Sequence, residues 1–192
     1  MQRRLIVLLG TLLCLLALPW ATQQEMATAA TRAAVRMQVP AAGGISPDVL
    51  RLAVTAVRCA TTRGVIGRPS TLTVIDYSRP SVEPRLWVFD LHSGALLFKE
   101  LVAHGRNTGG NMATSFSDAP NSRQSSLGLF VASETYVGSN GYSLRLDGLE
   151  PGFNGRARQR AIVMHGAPYV DASLRAVQGR IGRSWDARRC AM

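Results

Sequence analysis

Apolar positions along the 192-residue chain fall into three successive regimes: an unbroken run, a helical period and a strand period. The run comes first. Leu5 to Trp20 is apolar almost throughout and follows a basic Met1-Gln2-Arg3-Arg4. This is the n-region and h-region of a secretory signal, a little short for a spanning helix of about 20 residues. Ala27-Thr28-Ala29 offers a cleavage site, so residues 1–29 read as a signal peptide, with an uncleaved anchor as the alternative. Residues 30–45, built from Ala, Thr and Gly around Pro40, are expected to form a flexible lead-in.

The helical period opens at Ser46-Pro47-Asp48: a serine N-cap, a proline at the first helical position and a carboxylate against the dipole. Val49, Leu50, Leu52, Ala53, Val54, Ala56, Val57 and Cys59 then give a broad apolar face, and Gly64 is a natural stop. From Thr71 the period shortens. Leu72–Tyr77 reads as a strand ended at Arg79-Pro80, and Arg85–Leu91 and Ala95–Ala103 form a hairpin around His92-Ser93-Gly94. Residues 104–126, rich in Gly, Asn and Ser, form an extended loop of a length that usually serves function. Strands follow at Leu127–Ser133, Thr135–Val137 and, after the Gly138–Gly141 turn, Tyr142–Leu146. A second loop over 147–160 leads into a buried strand, Ala161-Ile-Val-Met-His165. Many short strands with one N-terminal helix predict a mainly β (α+β) domain.

Charge alters this picture little. The net charge is +10, and Lys99 is the single lysine among 22 basic residues. The arginines are scattered, without a basic helix or an aromatic-interleaved patch, which argues against nucleic acid as a partner. Attraction to an anionic wall polymer is a better use of such charge, and most of the arginines are expected on a solvated face. No cluster of His and Cys has metal-ligand spacing. With Cys14 in the signal, Cys59 and Cys190 remain. An oxidising compartment would permit their disulfide, but Cys59 on an apolar helical face reads as a buried inert thiol.

The chemistry concentrates between Ala161 and Trp185. An apolar run that delivers His165 to Gly166 places one imidazole at a strand-to-loop junction, well suited to general-base work. The segment then ends Gly179-Arg-Ile-Gly-Arg183-Ser184-Trp185. His104, in Ala103-His104-Gly105, also ends a strand, and could line a cleft or bond structurally to nearby backbone. By strand alternation Tyr142 shares a face with Leu144 and Leu146, and Arg145 with Ser143. Arg145 could clamp a substrate carboxylate or pair with Asp147 or Glu150. His92 is expected to face solvent.

Met164-His165-Gly166 followed by Gly179–Trp185 resembles the murein L,D-transpeptidase catalytic domain family, in which a His-Gly pair precedes a Ser-x-Gly-Cys-Pro element. Ser115-Phe116-Ser117, Ser125-Ser126-Leu127-Gly128 and Gly141–Glu150 extend the likeness over roughly Ile75 to Trp185. The resemblance implies a β-sandwich or barrel over 46–185, no cofactor, and acyl transfer between peptidoglycan stem peptides in the periplasm or cell envelope. The signal would engage the export machinery and membrane only transiently. It implies His165 as the base, Gly166 and Ser184 as shapers of the site, and Tyr142, Arg145 and His104 as substrate-binding residues.

One departure is pointed. After Trp185 the family pattern calls for Gly-Cys-Pro-Ala, and this chain reads Asp186-Ala-Arg-Arg-Cys190-Ala-Met192. One G restored after the Trp codon turns Asp-Ala codons GAT-GCC into GGA-TGC-C, which is Gly-Cys and the start of Pro. Residues 186–192 are therefore expected to be a frameshifted tail that lacks the nucleophile, with a genuine diverged terminus as the alternative. Cys190 lies three residues past the expected thiol, up to about 10 Å of extended chain, and could serve only as a displaced substitute. The competing function is a catalytically inactive wall-binding or scaffold domain of the same fold.

Overall fold

The computed structural model describes residues 42–184 and 189–191. The stretch expected to be a signal peptide and the earlier part of the expected lead-in lie outside them. Helix α1 spans Pro47–Thr62 with Asp48 in its first turn, as its sequence dictates. Ser46 takes the cap position with extended backbone but makes no side-chain capping bond. The buried stripe, Leu50, Val57 and Ala60, is narrower than the apolar pattern. Leu52 is 71% exposed, and Cys59 is an exposed free thiol, not the buried one expected. The reason is angular: both fall off the stripe that Leu50 and Val57 define at helical pitch.

Strands β1 (Thr71–Ile75), β2 (Leu86–Asp90) and β3 (Leu96–Glu100) form an antiparallel sheet in that order. In β1 the alternation is clean, with Leu72 and Val74 buried between exposed threonines. β2 is the central strand, and Leu86, Trp87 and Phe89 on it are fully buried. The Trp87 indole N–H donates to the Gly43 carbonyl at 3.1 Å and the Arg79 guanidinium to Gly44 at 3.1 Å. Ile45 is buried beside them. The final residues of the expected flexible lead-in are thus tied down, because Trp87 needs an acceptor and cover that the sheet alone does not supply.

The second sheet runs β4 (Phe130–Gly138), β5 (Gly141–Gly148), β6 (Val163–His165) and β7 (Arg189–Ala191), antiparallel except for the β6–β7 pair. The interruption that the sequence pattern places at Glu134 is a β-bulge: Ser133 and Glu134 together oppose Arg145. Leu86, Val102, Leu146, Ala157, Ile162 and Met164 form one apolar cluster, so both sheets contribute to the core. A groove of about 490 Å³ opens along it, lined in part by Leu72, Phe130, Leu144 and Met164. A short helix α2, Leu174–Gln178, ends at Gly179 in the left-handed region; the sequence pattern gives no sign of it.

Candidate active site

His165 is the last residue of β6, which has β5 on one side and β7 on the other. Its strand is only three residues long because Ala161 turns the chain with φ of 50° and the Ile162 N–H is taken by Ala157. All three strand residues are buried, and alternation sends Met164 into the core while Val163 and His165 point the other way. Ser143 is the cross-strand partner of His165 and Arg145 that of Val163, so all four share a face. The His165 Nδ1 lies 2.7 Å from the Gly166 carbonyl oxygen. A carbonyl only accepts, so Nδ1 carries the hydrogen and Nε2 is the basic atom of the neutral ring.

The chain reaches Ser184 by a backbone zipper. Ser184 N–H donates to the His104 carbonyl at 3.0 Å, and Arg106 N–H to the Ser184 carbonyl at 3.0 Å. Ser184 and Ile181 are fully buried, Ile181 against Ala103, Ala167 and Tyr169. Gly182 donates its N–H to the Tyr169 carbonyl at 2.8 Å; a Cβ there would stand 2.6 Å from the Tyr169 Cβ. Gly105 is equally obligatory, since its Cβ would meet the Arg123 carbonyl oxygen at 2.5 Å. Two glycines thus let the loop after His165, the loop after His104 and the approach to Trp185 pack backbone on backbone.

His104 is buried to 1%, not placed on a cleft wall. Arg85 donates to its Nδ1 at 2.8 Å, which puts the ring hydrogen on Nε2, 3.3 Å from the Gly109 carbonyl. Burial first, and then the Arg85 charge, lower its pKa to about 4, so the ring is neutral and structural. Arg145 bonds neither Asp147 nor Glu150. Its Nε sits 3.0 Å from Glu134, and its guanidinium lies 4.4 Å over the Tyr136 ring. The bulge re-aims Glu134 to make this possible, and Arg158 joins Glu134 to Asp147. Tyr142 is 70% exposed near the hairpin tip and by alternation lies on the face opposite His165. Cys190 is the register partner of Met164, while Ala191 is that of His165.

Two residues that organise the region escaped the sequence pattern. Arg85 is fully buried and donates twice to the Val102 carbonyl and once to that of Arg79. Arg160 is 5% exposed and binds the carbonyls of Ser117 and Gln124, the hydroxyls of Ser122 and Ser126, and Asp118 at 3.6 Å. These arginines hold the long loop from inside, against the expectation of a solvated face. The planar five-donor guanidinium can satisfy many loop carbonyls at once. The available signal was an arginine set in an apolar context, as in Pro84-Arg85-Leu86. Among the described residues no group of His, Cys, Asp or Glu could hold a metal ion, and no helix is long and apolar enough to cross a membrane.

A short-stranded, two-sheet domain thus carries a buried histidine at a strand end beside a glycine-dependent backbone junction. The sequence model of the L,D-transpeptidase catalytic domain matches residues 41–190, and the chain belongs to that family. Searches of curated proteins and of solved structures each return no significant match.

Proposed function

We propose that the protein is an exported acyltransferase that acts on peptidoglycan stem peptides through a cysteine thioester, and that its thiol belongs in a Gly-Cys pair directly after Trp185. In this reading the two sheets are the halves of a sandwich, and export rests on the apolar run Leu5–Trp20. His165 carries the proposal: its Nδ1–H is fixed on the Gly166 carbonyl and its Nε2 is the atom that takes a proton. The thiol proton passes to Nε2, and the thiolate attacks a stem-peptide carbonyl. The carbonyl carbon gains a C–S bond and loses its C–N bond to the terminal D-amino acid, whose nitrogen leaves with the proton from His165. The amine of a second stem then attacks the thioester and gives its proton to Nε2; a C–N bond forms, the C–S bond breaks and the sulfur leaves as thiolate, which regains the proton from His165. Backbone N–H groups at a Gly-Cys turn would hold the oxyanion.

As written, Asp186-Ala187 stands where that pair belongs, and Cys190 is in register with Met164. Removal of the nucleophile from such a pair removes nearly all its chemistry. That favours a second reading, a non-catalytic wall-binding domain. Two versions of the protein separate them: the chain as written, and one that reads Gly-Cys-Pro-Ala after Trp185. Each is incubated with a stem tetrapeptide and weighed by mass spectrometry. The second version should gain the tripeptide acyl mass and release the D-amino acid, and His165→Ala should abolish both. A folded Gly-Cys version that acquires no acyl group rules out the thioester mechanism.

A further inference from the structure

We propose that Arg183 and Arg180 form a carboxylate-binding subsite next to Ser184. Its ligand is the C-terminal carboxylate of a stem peptide; this identity rests on the proposed function, whereas the anion site itself does not.

The geometry begins with Arg183. Its Nη1 donates to the carbonyls of Arg106 and Gly109, both at 2.9 Å, which uses the two hydrogens of that nitrogen. The Nε and Nη2 hydrogens remain, and they form the edge whose spacing matches the two oxygens of a carboxylate. Arg180 is anchored more lightly, with Nη1 donating once to the Ile181 carbonyl at 3.1 Å. The Arg106 backbone meets this segment twice: its N–H donates to the Ser184 carbonyl and its carbonyl accepts from Arg183 Nη1. All three arginines are half-buried.

The contrast with the other arginines gives this meaning. Arg51, Arg79, Arg145, Arg158 and Arg160 each have an acidic partner among the described residues. Arg180 and Arg183 are anchored on neutral carbonyls, which fix position without cancelling charge. Desolvation and then the charges of Arg180 and Arg106 hold the Arg183 pKa below its ordinary value. Like charges held together in this way attract an anion, and its arrival relieves their repulsion.

The location selects the ligand. Arg183 precedes Ser184 in the chain, and Gly182 is bonded to Tyr169 on the loop that leaves His165. An acyl donor that loses a terminal D-amino acid carries a free carboxylate one residue beyond the bond that breaks. A fork at this point would hold that carboxylate and orient the carbonyl.

The test uses the chain as written. Diacetyl-L-lysyl-D-alanine is titrated as the free acid and as the C-terminal amide, with binding read by NMR shift perturbation. The acid should bind at least about tenfold more tightly than the amide, the scale of a charge-assisted hydrogen-bond pair. Arg183→Gln and Arg180→Gln should each abolish the preference, and Arg145→Gln should preserve it. Arg183→Lys guards against misfolding, since it keeps a cation near the same carbonyls while losing the fork. Equal affinity for acid and amide overturns the subsite, as does a preference that survives both glutamine variants. Acetate that binds as well as the peptide acid, and is lost in both variants, keeps the subsite and removes the stem peptide as its ligand. Acid-specific peptide binding that persists without Arg180 and Arg183 does the reverse.

Discussion

The β4–β5 hairpin and the segment Gly179–Ser184 use arginine for opposite ends. On the hairpin, Arg145 and Arg158 converge on Glu134, and Arg158 also on Asp147, so the charges cancel within the surface. The Arg158 bonds first, and then the Ser133 hydroxyl, hold the Glu134 carboxyl well below the usual carboxylate range. In the second region Arg180 and Arg183 rest on backbone carbonyls and keep their charge. One region closes a surface and the other leaves an electrostatic demand. The partner of an arginine, more than its presence, separates scaffold from site.

The sharpest way to break the comparison is to remove an arginine that is wholly scaffold. Arg160→Met should destabilise the domain by about 3–5 kcal/mol, because Asp118 is left buried and the Ser117 and Gln124 carbonyls lose their donor. Urea unfolding measures it, and a loss comparable to that of a surface substitution would contradict the assigned role.

Next comes pH. The folded-state pKa of His104 is lowered to about 4 from an ordinary 6.5, so below pH 6.5 the unfolded chain binds the proton that the folded chain refuses. Stability on this account is full above about pH 6.5 and falls by roughly 2–3 kcal/mol as the pH drops toward 4. The same pH series on His104→Gln should show a flatter slope.

Gly182→Ala should cost about 1–3 kcal/mol through overpacking against Tyr169, read as a lowered urea midpoint. Smallest is Glu134→Gln, whose exposed ion pairs contribute little. Its melting temperature should stay close to that of the unaltered chain, and the acid preference of the peptide titration should persist.

These differences also mark what could be read from sequence. The start of α1 was legible because Ser46-Pro47-Asp48 acts locally, and so was the β4–β5 hairpin, whose Gly138–Gly141 turn does the same. The place of His165 at a strand end was legible because the apolar run before it stops at His-Gly. The fates of Cys59 and His104 were not, since they depend on which side of an element meets a distant neighbour. Arg85 and Arg160 were hidden for a related reason: a buried arginine differs from a solvated one only through the loop carbonyls folded around it. Arg145 could be placed on the histidine's face by alternation, but its partner was set by a bulge that brings Glu134 opposite it.

The shortness of β6 has a consequence for inheritance. Arg160 is fixed by the long loop, Ala161 turns the chain, and His165 closes a strand whose faces alternate residue by residue. The spacing from Arg160 to His165 therefore acts as a ruler. One residue gained or lost within it would exchange the faces of Met164 and His165, turning the imidazole into the core and a thioether to the opposite face. Substitutions can accumulate along this segment while the imidazole keeps its place, but a change in its length cannot be absorbed.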